Sequence, residues 1–476
     1  MNYVSLQDEK KSISILSKLR IKIQSMCFQE MFRQKAGDFS RANRQKLSFS
    51  VVFLSLLHRM VKSLDVGVQE LLCYLETIPS SDCRKQSYSA ARKKIKWEGY
   101  VELHTDFIRD YYSDNSCVKT YKGMIMIGID GSTLCLPNTV ALVDHFGAWQ
   151  NQGTCRPLAR ISRAVDVLNL KVIDAQIVGC MTSEMVLAKR HIPILADLLG
   201  ADTPKLLLFD RNYPSYYWFG YLESLGNNYV VRAKSEGIFA EFGKSNSLDI
   251  TIEIDVNMLS KCVQNTYYKE EIALGKGNSF PKKFRIRLIK ILRQGGEYMI
   301  LATNLLDNVL HPYENFEFIY HCRWGSETDY DKLKNVIQVE NFSSITPLGI
   351  LQEFHSATLM QNIASLVIED AQAQIDLQLQ EKVETIEENI KLQITDNQDY
   401  QQPISPKKII CFAVAFGLIR SEIWNIIFFD EPIEQVTDRL IEKIKKRTHL
   451  IRPNRSYVRK KMRTKSHFPT NKRKVL

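Results

Sequence analysis

None of the 10 cysteines in this 476-residue chain forms a C-x-x-C pair, and they are widely scattered. That removes the paired ligands of a zinc knuckle and does not resemble a disulfide framework, so a reducing cytoplasm is the expected setting. Long apolar runs are missing too. SVVFLSLL and IICFAVAFGLI fall short of the ~20 residues of a membrane span and are expected in a core, with no membrane partner. The opening MNYVSLQDEKKS has no apolar stretch of the signal-peptide kind. GxxxxGK[ST], HExxH and GxSxG are all absent, which argues against phosphate-loop, zinc-peptidase and nucleophile-elbow chemistry. No period of 20–50 residues marks a repeat fold. The nine histidines show no metal-ligand spacing. Acidic residues are absent from Lys443 to Leu476, where 14 are Lys or Arg. The net charge of +11 is therefore concentrated in the last segment, either a basic arm for a polyanion or a solubilising tail.

What is present is a folded composition, 45% apolar and 25% charged. Residues 1–115 carry helical periodicity. Ile78-Pro79-Ser80-Ser81-Asp82 is a break with N-cap character, and CRKQSYSAARKKIKWEGY is the helix after it. Lys85, Tyr88 and Arg92 share one face of that helix, which suggests a helix-turn-helix-like DNA reader, although a basic amphipathic helix is more often a solvated face. From residue 116 strands dominate. MIMIGID ends in Asp130, ISRAVDVLNL and KVIDAQIVGC follow, TSEMVLAKRHIPILADLLG is a helix closed by Gly200, and KLLLFD ends in Asp210. This order predicts an α/β sheet with its ligands at strand ends. Residues 233–315 read as a β-rich insertion, with LDITIEIDV alternating and a Gly295-Gly296 hairpin joining FRIRLIKIL to EYMILATNL. Residues 316–375 hold two helices, 376–442 an acidic, Gln-rich spacer and an apolar C-terminal region, and 443–476 the basic tail.

The stretch YHCRWGSETDYDKLK places Tyr320, Arg323, Glu327 and Lys334 at offsets that keep them within roughly 60° of one another on a helix. One face thus offers a phenol, a guanidinium, a carboxylate and an ammonium. Ordinary ion pairing on a solvated helix would give the same pattern. Asp130 and Asp210, each ending an apolar strand, favour a site instead. Three converging carboxylates repel one another unless a cation relieves them, and Mg²⁺ or Mn²⁺ suits oxygen ligands. Two such ions would suit an in-line phosphoryl displacement. Arg211, Ser132 and Thr133 could contact phosphate or orient the acids. Asp166 and Asp174 lie inside strand patterns and Asp202 in a loop, so none of them is expected to bind metal. His191 is expected to be packed or at the surface, and His321 to point away from Tyr320.

DGSTLCLP at 130–137, LLLFDRNYPS at 206–215 and Y-x2-R-x3-E-x6-K at 320–334 resemble the three catalytic blocks of bacterial DDE transposases, nearest the insertion-sequence family numbered four. RKQSYSAARKKI and the tail ending FPTNKRK are similar to members of that family as well. The resemblance implies a ribonuclease-H-like catalytic core interrupted by the β-rich insertion, flanked by a helical DNA-binding N-terminal domain and a helical C-terminal region. It implies cut-and-paste movement of an insertion sequence: binding of terminal inverted repeats, cleavage by water to free a 3′-OH, and joining to target DNA. Asp130, Asp210 and Glu327 would hold the metal ions. Tyr320, Arg323 and Lys334 would contact DNA phosphates, with Arg211, Lys85 and Arg92 as further DNA contacts. A homodimer would bring two double-stranded ends together, in a bacterial, nucleoid-associated setting. Two features depart from the family. No tryptophan lies in the insertion, where some relatives stack one on a flipped base; Tyr267, Tyr268 or Phe280 could serve instead. The acidic segment around 376–400 is longer than usual. Two alternatives remain open on sequence: a catalytically inactive DNA-binding descendant, and a metal-dependent nuclease without strand transfer.

Overall fold

The computed structural model describes residues 10–40, 47–59, 64–74, 84–114, 118–151, 154–234, 236–273, 279–293, 296–393 and 408–451. The break at 78–82, Gly295 of the hairpin, the end of the acidic segment and the basic tail from 452 lie outside them. Among the described residues six helices come first: α1 (Lys11–Gln24), α2 (Met26–Phe32), α3 (Phe49–His58), α4 (Leu64–Tyr74), α5 (Lys85–Arg92) and α6 (Glu98–Ser113). Ser25 and Ser48 start α2 and α3 by accepting hydrogen bonds from the backbone N–H groups of Phe28 and Val51.

The chain then builds one mixed α/β unit around a large central sheet. Its first part runs β1 (Ile125–Cys135), α7 (Val140–Phe146), β2 (Ala148–Asn151), β3 (Thr154–Asp166), β4 (Lys171–Gly179), α8 (Glu184–Leu199), β5 (Lys205–Phe209), α9 (Tyr216–Ser224) and β6 (Asn228–Ala233). β1, β3 and β4 form an antiparallel meander, while β5 pairs in parallel with both β1 and β6. Residues 125–129 of β1 and all of β5 are buried, as continuous apolar strands covered on both faces should be. α8 begins on Ser183, which accepts from Val186 N–H, and ends before Gly200 at φ 93°.

The insertion supplies α10 (Ala240–Lys244), β7 (Asp249–Asp255), α11 (Lys261–Ala273), β8 (Lys283–Leu292) and β9 (Tyr298–Thr303). Its strands extend the central sheet, because β9 pairs antiparallel with β6 and the order continues β9-β8-β7. α12 (Asn315–Cys322) and α13 (Trp324–Asp331) follow almost end to end, and a π-helical turn covers Lys332–Val336. α14 is a single helix of 47 residues, Pro347–Gln393, so much of the acidic segment continues the long helix. After it come β10 (Lys408–Ile410), α15 (Phe412–Ile427), α16 (Ile433–Lys445) and β11 (Thr448–Leu450).

α14 is buried along most of its first half and packs on β4 of the sheet. Around it lie α1, α3 and α6 from the start of the chain and α15 and α16 from its end. The two ends of the chain therefore share one helical layer. No helix among the described residues is long and apolar enough to cross a membrane.

Candidate active site

Asp130 does not end its strand, as the sequence suggests. β1 continues to Cys135 because Gly131–Cys135 pair with Ser162–Leu158 of β3. What ends is its parallel neighbour: the β1–β5 register runs to Gly128 opposite Leu208. Asp210 directly follows β5, so continuing that register brings Asp130 and Asp210 level on adjacent strands, where the sheet opens. The Asp130 carbonyl is anchored from two sides, accepting from Ser162 Oγ at 3.1 Å and from the Tyr330 hydroxyl at 2.7 Å.

The helix bearing Glu327 lies against this edge. Its close approach needs a glycine at 128, since a Cβ there would come within 2.1 Å of Ser326 Oγ. Tyr320, Arg323 and Lys334 reach residues of β1 or the residue after β5, and Glu327 is held by Arg323. The Tyr320 hydroxyl is 3.4 Å from Asp210 Oδ1. Arg323 donates from Nη2 to Glu327 Oε1 at 2.8 Å, and its Nη1 lies 3.8 Å from Asp130 Oδ2. Lys334 Nζ donates to Ser132 Oγ at 2.7 Å. Tyr320 and Arg323 are buried and Glu327 is exposed.

The charges follow from this crowding. Burial pushes the Asp130 carboxyl up to about 6, against the Gly131 N–H and the Arg323 guanidinium, with Asp210 and Glu184 adding to the rise. Burial pulls the Lys334 ammonium down, partly offset by Glu340. Burial raises the Tyr320 phenol, so it stays a neutral hydroxyl. Asp130, Asp210 and Glu327 offer the hard oxygen donors that Mg²⁺ and Mn²⁺ take, and a buried carboxyl raised in this way gains from a nearby cation. As the side chains stand, no three His, Cys, Asp or Glu among the described residues converge on one point that could hold an ion. The Arg323 guanidinium supplies the positive charge between Asp130 and Glu327. The donor set fits a divalent cation provided that guanidinium yields its place.

The other expected contacts divide. Arg211 is exposed and lines a groove of about 360 Å³ with Arg232, Lys234 and Arg293, whose charges outnumber those of Glu236 and Glu297 in the same lining; Arg232 Nη1 is 3.9 Å from Asp210 Oδ1. Lys85 is exposed on α5. Arg92 is a correction: it is 6% exposed, pairs with Glu353 at 3.0 Å, and donates to Gln352, Ser343 and the Gly349 carbonyl. The face shared by Tyr88 and Arg92 is the buried one, because α3 covers Tyr88, whose hydroxyl is 2.6 Å from Ser55 Oγ, and α14 and the segment before it cover Arg92. Of the aromatics offered for stacking, Tyr268 is half-buried and donates to Asn257 Oδ1, while the other two are unfit for a flipped base. Tyr267 and Phe280 are buried against one another, and Tyr267 donates to the Pro281 carbonyl.

Asp166 is buried under Tyr112 and Asn169 and stands apart from the acids at the strand ends. Asp174, His191 and Ser162 form a chain of hydrogen bonds at 2.6 and 2.9 Å. The chain resembles a Ser-His-Asp triad, but its serine and histidine are fully buried. It anchors the Asp130 carbonyl through Ser162. His321 is exposed, turned away from the site as expected.

The family model described as a transposase DDE domain matches residues 124–363. No curated protein matches. Among solved structures, a cryo-EM structure of the piggyBac transposase synaptic complex with hairpin DNA is similar at a TM-score of 0.44 and 10% identity, over 91% of this chain and 85% of that one.

Proposed function

The chain belongs to the family of transposases with a DDE domain, and from that premise we propose that Asp130, Asp210 and Glu327 are its three acids. The observation that carries this reading is that β1, β5 and the α12–α13 helix bring these carboxylates to one sheet edge, with Arg323 between two of them. The strand order β4-β3-β1-β5-β6, an antiparallel meander followed by two parallel strands, supports a ribonuclease-H-like core. The reaction proposed is cut-and-paste movement of an insertion sequence, as in the bacterial family with the Y/R/E/K pattern. A water cleaves each double-stranded end to free a 3′-OH, and that hydroxyl joins target DNA, on two ends held by a homodimer.

Asp130, Asp210 and Glu327 would hold one or two Mg²⁺ or Mn²⁺ ions. When bound, these would activate the attacking oxygen and neutralise the leaving one. The chain's own cations do the positioning. Arg323 exchanges its carboxylate partners for a phosphate oxygen, to which it can offer two parallel donors. Lys334 leaves Ser132 for a second phosphate oxygen. Arg211, Arg232 and Lys234 extend the positive surface from Asp210 along the groove, where a phosphodiester backbone would lie. Tyr320 stays neutral beside Asp210 and holds that carboxylate toward the site.

The test uses wild type and Glu327→Gln with a DNA fragment carrying the element's two ends, in Mg²⁺ and in EDTA. Wild type is expected to cut only with metal, and the variant to bind the ends and leave them whole. A variant that cuts as well as wild type overturns the assignment of Glu327. Supplying pre-cleaved ends separates transposase from plain nuclease, since only the former joins them to target DNA.

A further inference from the structure

The helix of Glu327 carries a second carboxylate that turns inward. Asp329 stands two positions after Glu327, about 200° around the helix, so Glu327 is exposed while Asp329 is buried. Asp329 Oδ2 lies 2.7 Å from Nη1 of Arg163, a fully buried residue of β3. Gln361 of α14 closes the cluster, accepting from Arg163 Nη2 at 3.0 Å and donating to Asp329 Oδ1 at 2.5 Å. Arg163 is also the β3 residue paired directly with Asp130, so these two side chains lie on one face of the sheet. One buried cluster thus joins the strand neighbour of Asp130, the helix of Glu327 and α14.

Stability alone does not account for this cluster. Desolvating two charges commonly outweighs their attraction, and apolar residues of similar volume serve as well or better. The pair is not fully satisfied either. Its 2.7 Å contact lacks hydrogen-bond geometry, and Arg163 Nε has no hydrogen-bond partner among the described residues. Burial pushes the Asp329 carboxyl up, with Arg163 the charge that most opposes the rise. Gly128 against Ser326 and Gly325 against Val167 let α13 come close to the sheet. The charges add direction, because a rotation that carried Glu327 away would pull Asp329 off Arg163.

We propose that Arg163, Asp329 and Gln361 are positioning residues of the active site: they fix the rotation of α13 and so hold Glu327 toward Asp130. All three are buried, so they act through the helix rather than on DNA. This rests on the reading of Asp130, Asp210 and Glu327 as the three acids.

The test compares wild type, Glu327→Gln, Arg163→Lys and the apolar triple variant Arg163→Met/Asp329→Leu/Gln361→Met. Urea unfolding, affinity for a DNA fragment carrying the element's two ends, and the rate of end cleavage at saturating DNA in Mg²⁺ are measured for each. The triple variant is expected to unfold at no lower urea concentration than wild type and to bind the ends as tightly, yet to cut about 100-fold more slowly. Arg163→Lys keeps a charge for Asp329 without the planar fork, and should cut about 10-fold more slowly than wild type. A cluster with only a structural role, replaced by apolar packing of equal stability, would leave the rate unchanged. A triple variant that cuts like wild type, with Glu327→Gln inactive, overturns the positioning role and leaves the three acids standing. A Glu327→Gln variant that cuts like wild type, or a wild type that never cuts, overturns both. Should the triple variant fail to fold, Arg163→Lys carries the test, and a wild-type rate in it overturns the proposal.

Discussion

Arg92 illustrates how much one buried charge can hold. Its guanidinium joins α5 to Glu353, Gln352 and the carbonyl of Gly349. Removing one partner of such a pair leaves the other charged and desolvated. Arg92→Ala should therefore lower stability by about 3–5 kcal/mol, read from urea unfolding. Lys85→Ala, at an exposed position of the same helix, should stay within about 0.5 kcal/mol. Equal losses would mean that the Arg92–Glu353 pair is not a determinant of the fold. From sequence the two residues look alike, since periodicity finds the face they share but not what covers it. A similar limit hid Arg163 and Asp329. Each has a legible place, one on a strand and one on a helix, but their meeting depends on how the helix returns across the sheet.

At the scale of elements, the helix carrying Glu327 shows what spacing can determine. Spacing puts Tyr320, Arg323 and Glu327 on one face; Tyr320 and Arg323 reach Asp210 and Asp130, and Arg323 holds Glu327 beside them. Lys334 reaches Ser132 from a π-helical turn, a local widening that 100° per residue does not foresee. The contact of α6 and α14 with β4 gives a pH prediction. His104 on α6 donates from Nε2 to the Val172 carbonyl at 2.8 Å, and burial pulls it down to about 4 despite the nearby Asp174 carboxylate. His355 on α14 lies against the Trp97 ring, and burial pulls it to about 3. Both folded values lie below the unfolded 6.5, so the unfolded chain takes up protons first as pH falls. Stability is then full above pH 6.5 and declines toward pH 4, by about 2 kcal/mol per histidine at pH 5. Between pH 7.5 and 5, His104→Gln should lose about 2 kcal/mol less than wild type. An identical loss would show that His104 is not what couples this contact to pH.

For the whole molecule, the start and end of the chain are mutually dependent. The Arg20 guanidinium on α1 donates to the carbonyls of Asn425, Ile426 and Glu431, at and beyond the end of α15, and Gln24 donates to Ile427. These carbonyls would otherwise be left over at a helix C-terminus. Arg20→Ala should lower stability by about 2 kcal/mol or more, with one cooperative transition for the N- and C-terminal helices. Two separate transitions, or a loss under about 0.5 kcal/mol, would show that the two ends fold independently.

Sequence by itself determined several of the elements and named the expected acids. Apolar runs marked β1 and β5, alternation marked β7, and helical spacing aligned Tyr320, Arg323 and Glu327, because each is set by neighbours a few residues away. Tertiary structure decided the rest. Asp130 lies within a strand because β3 pairs beyond it, whereas β5 stops earlier. The insertion joins the central sheet because the free edge of β6 accepts β9. Arg92 is structural because α14 returns over it. Glu184 lies against Gly131 because α8 starts where β1 carries no side chain. Each of these depends on chain segments far apart in sequence, and no local pattern encodes which of them will meet.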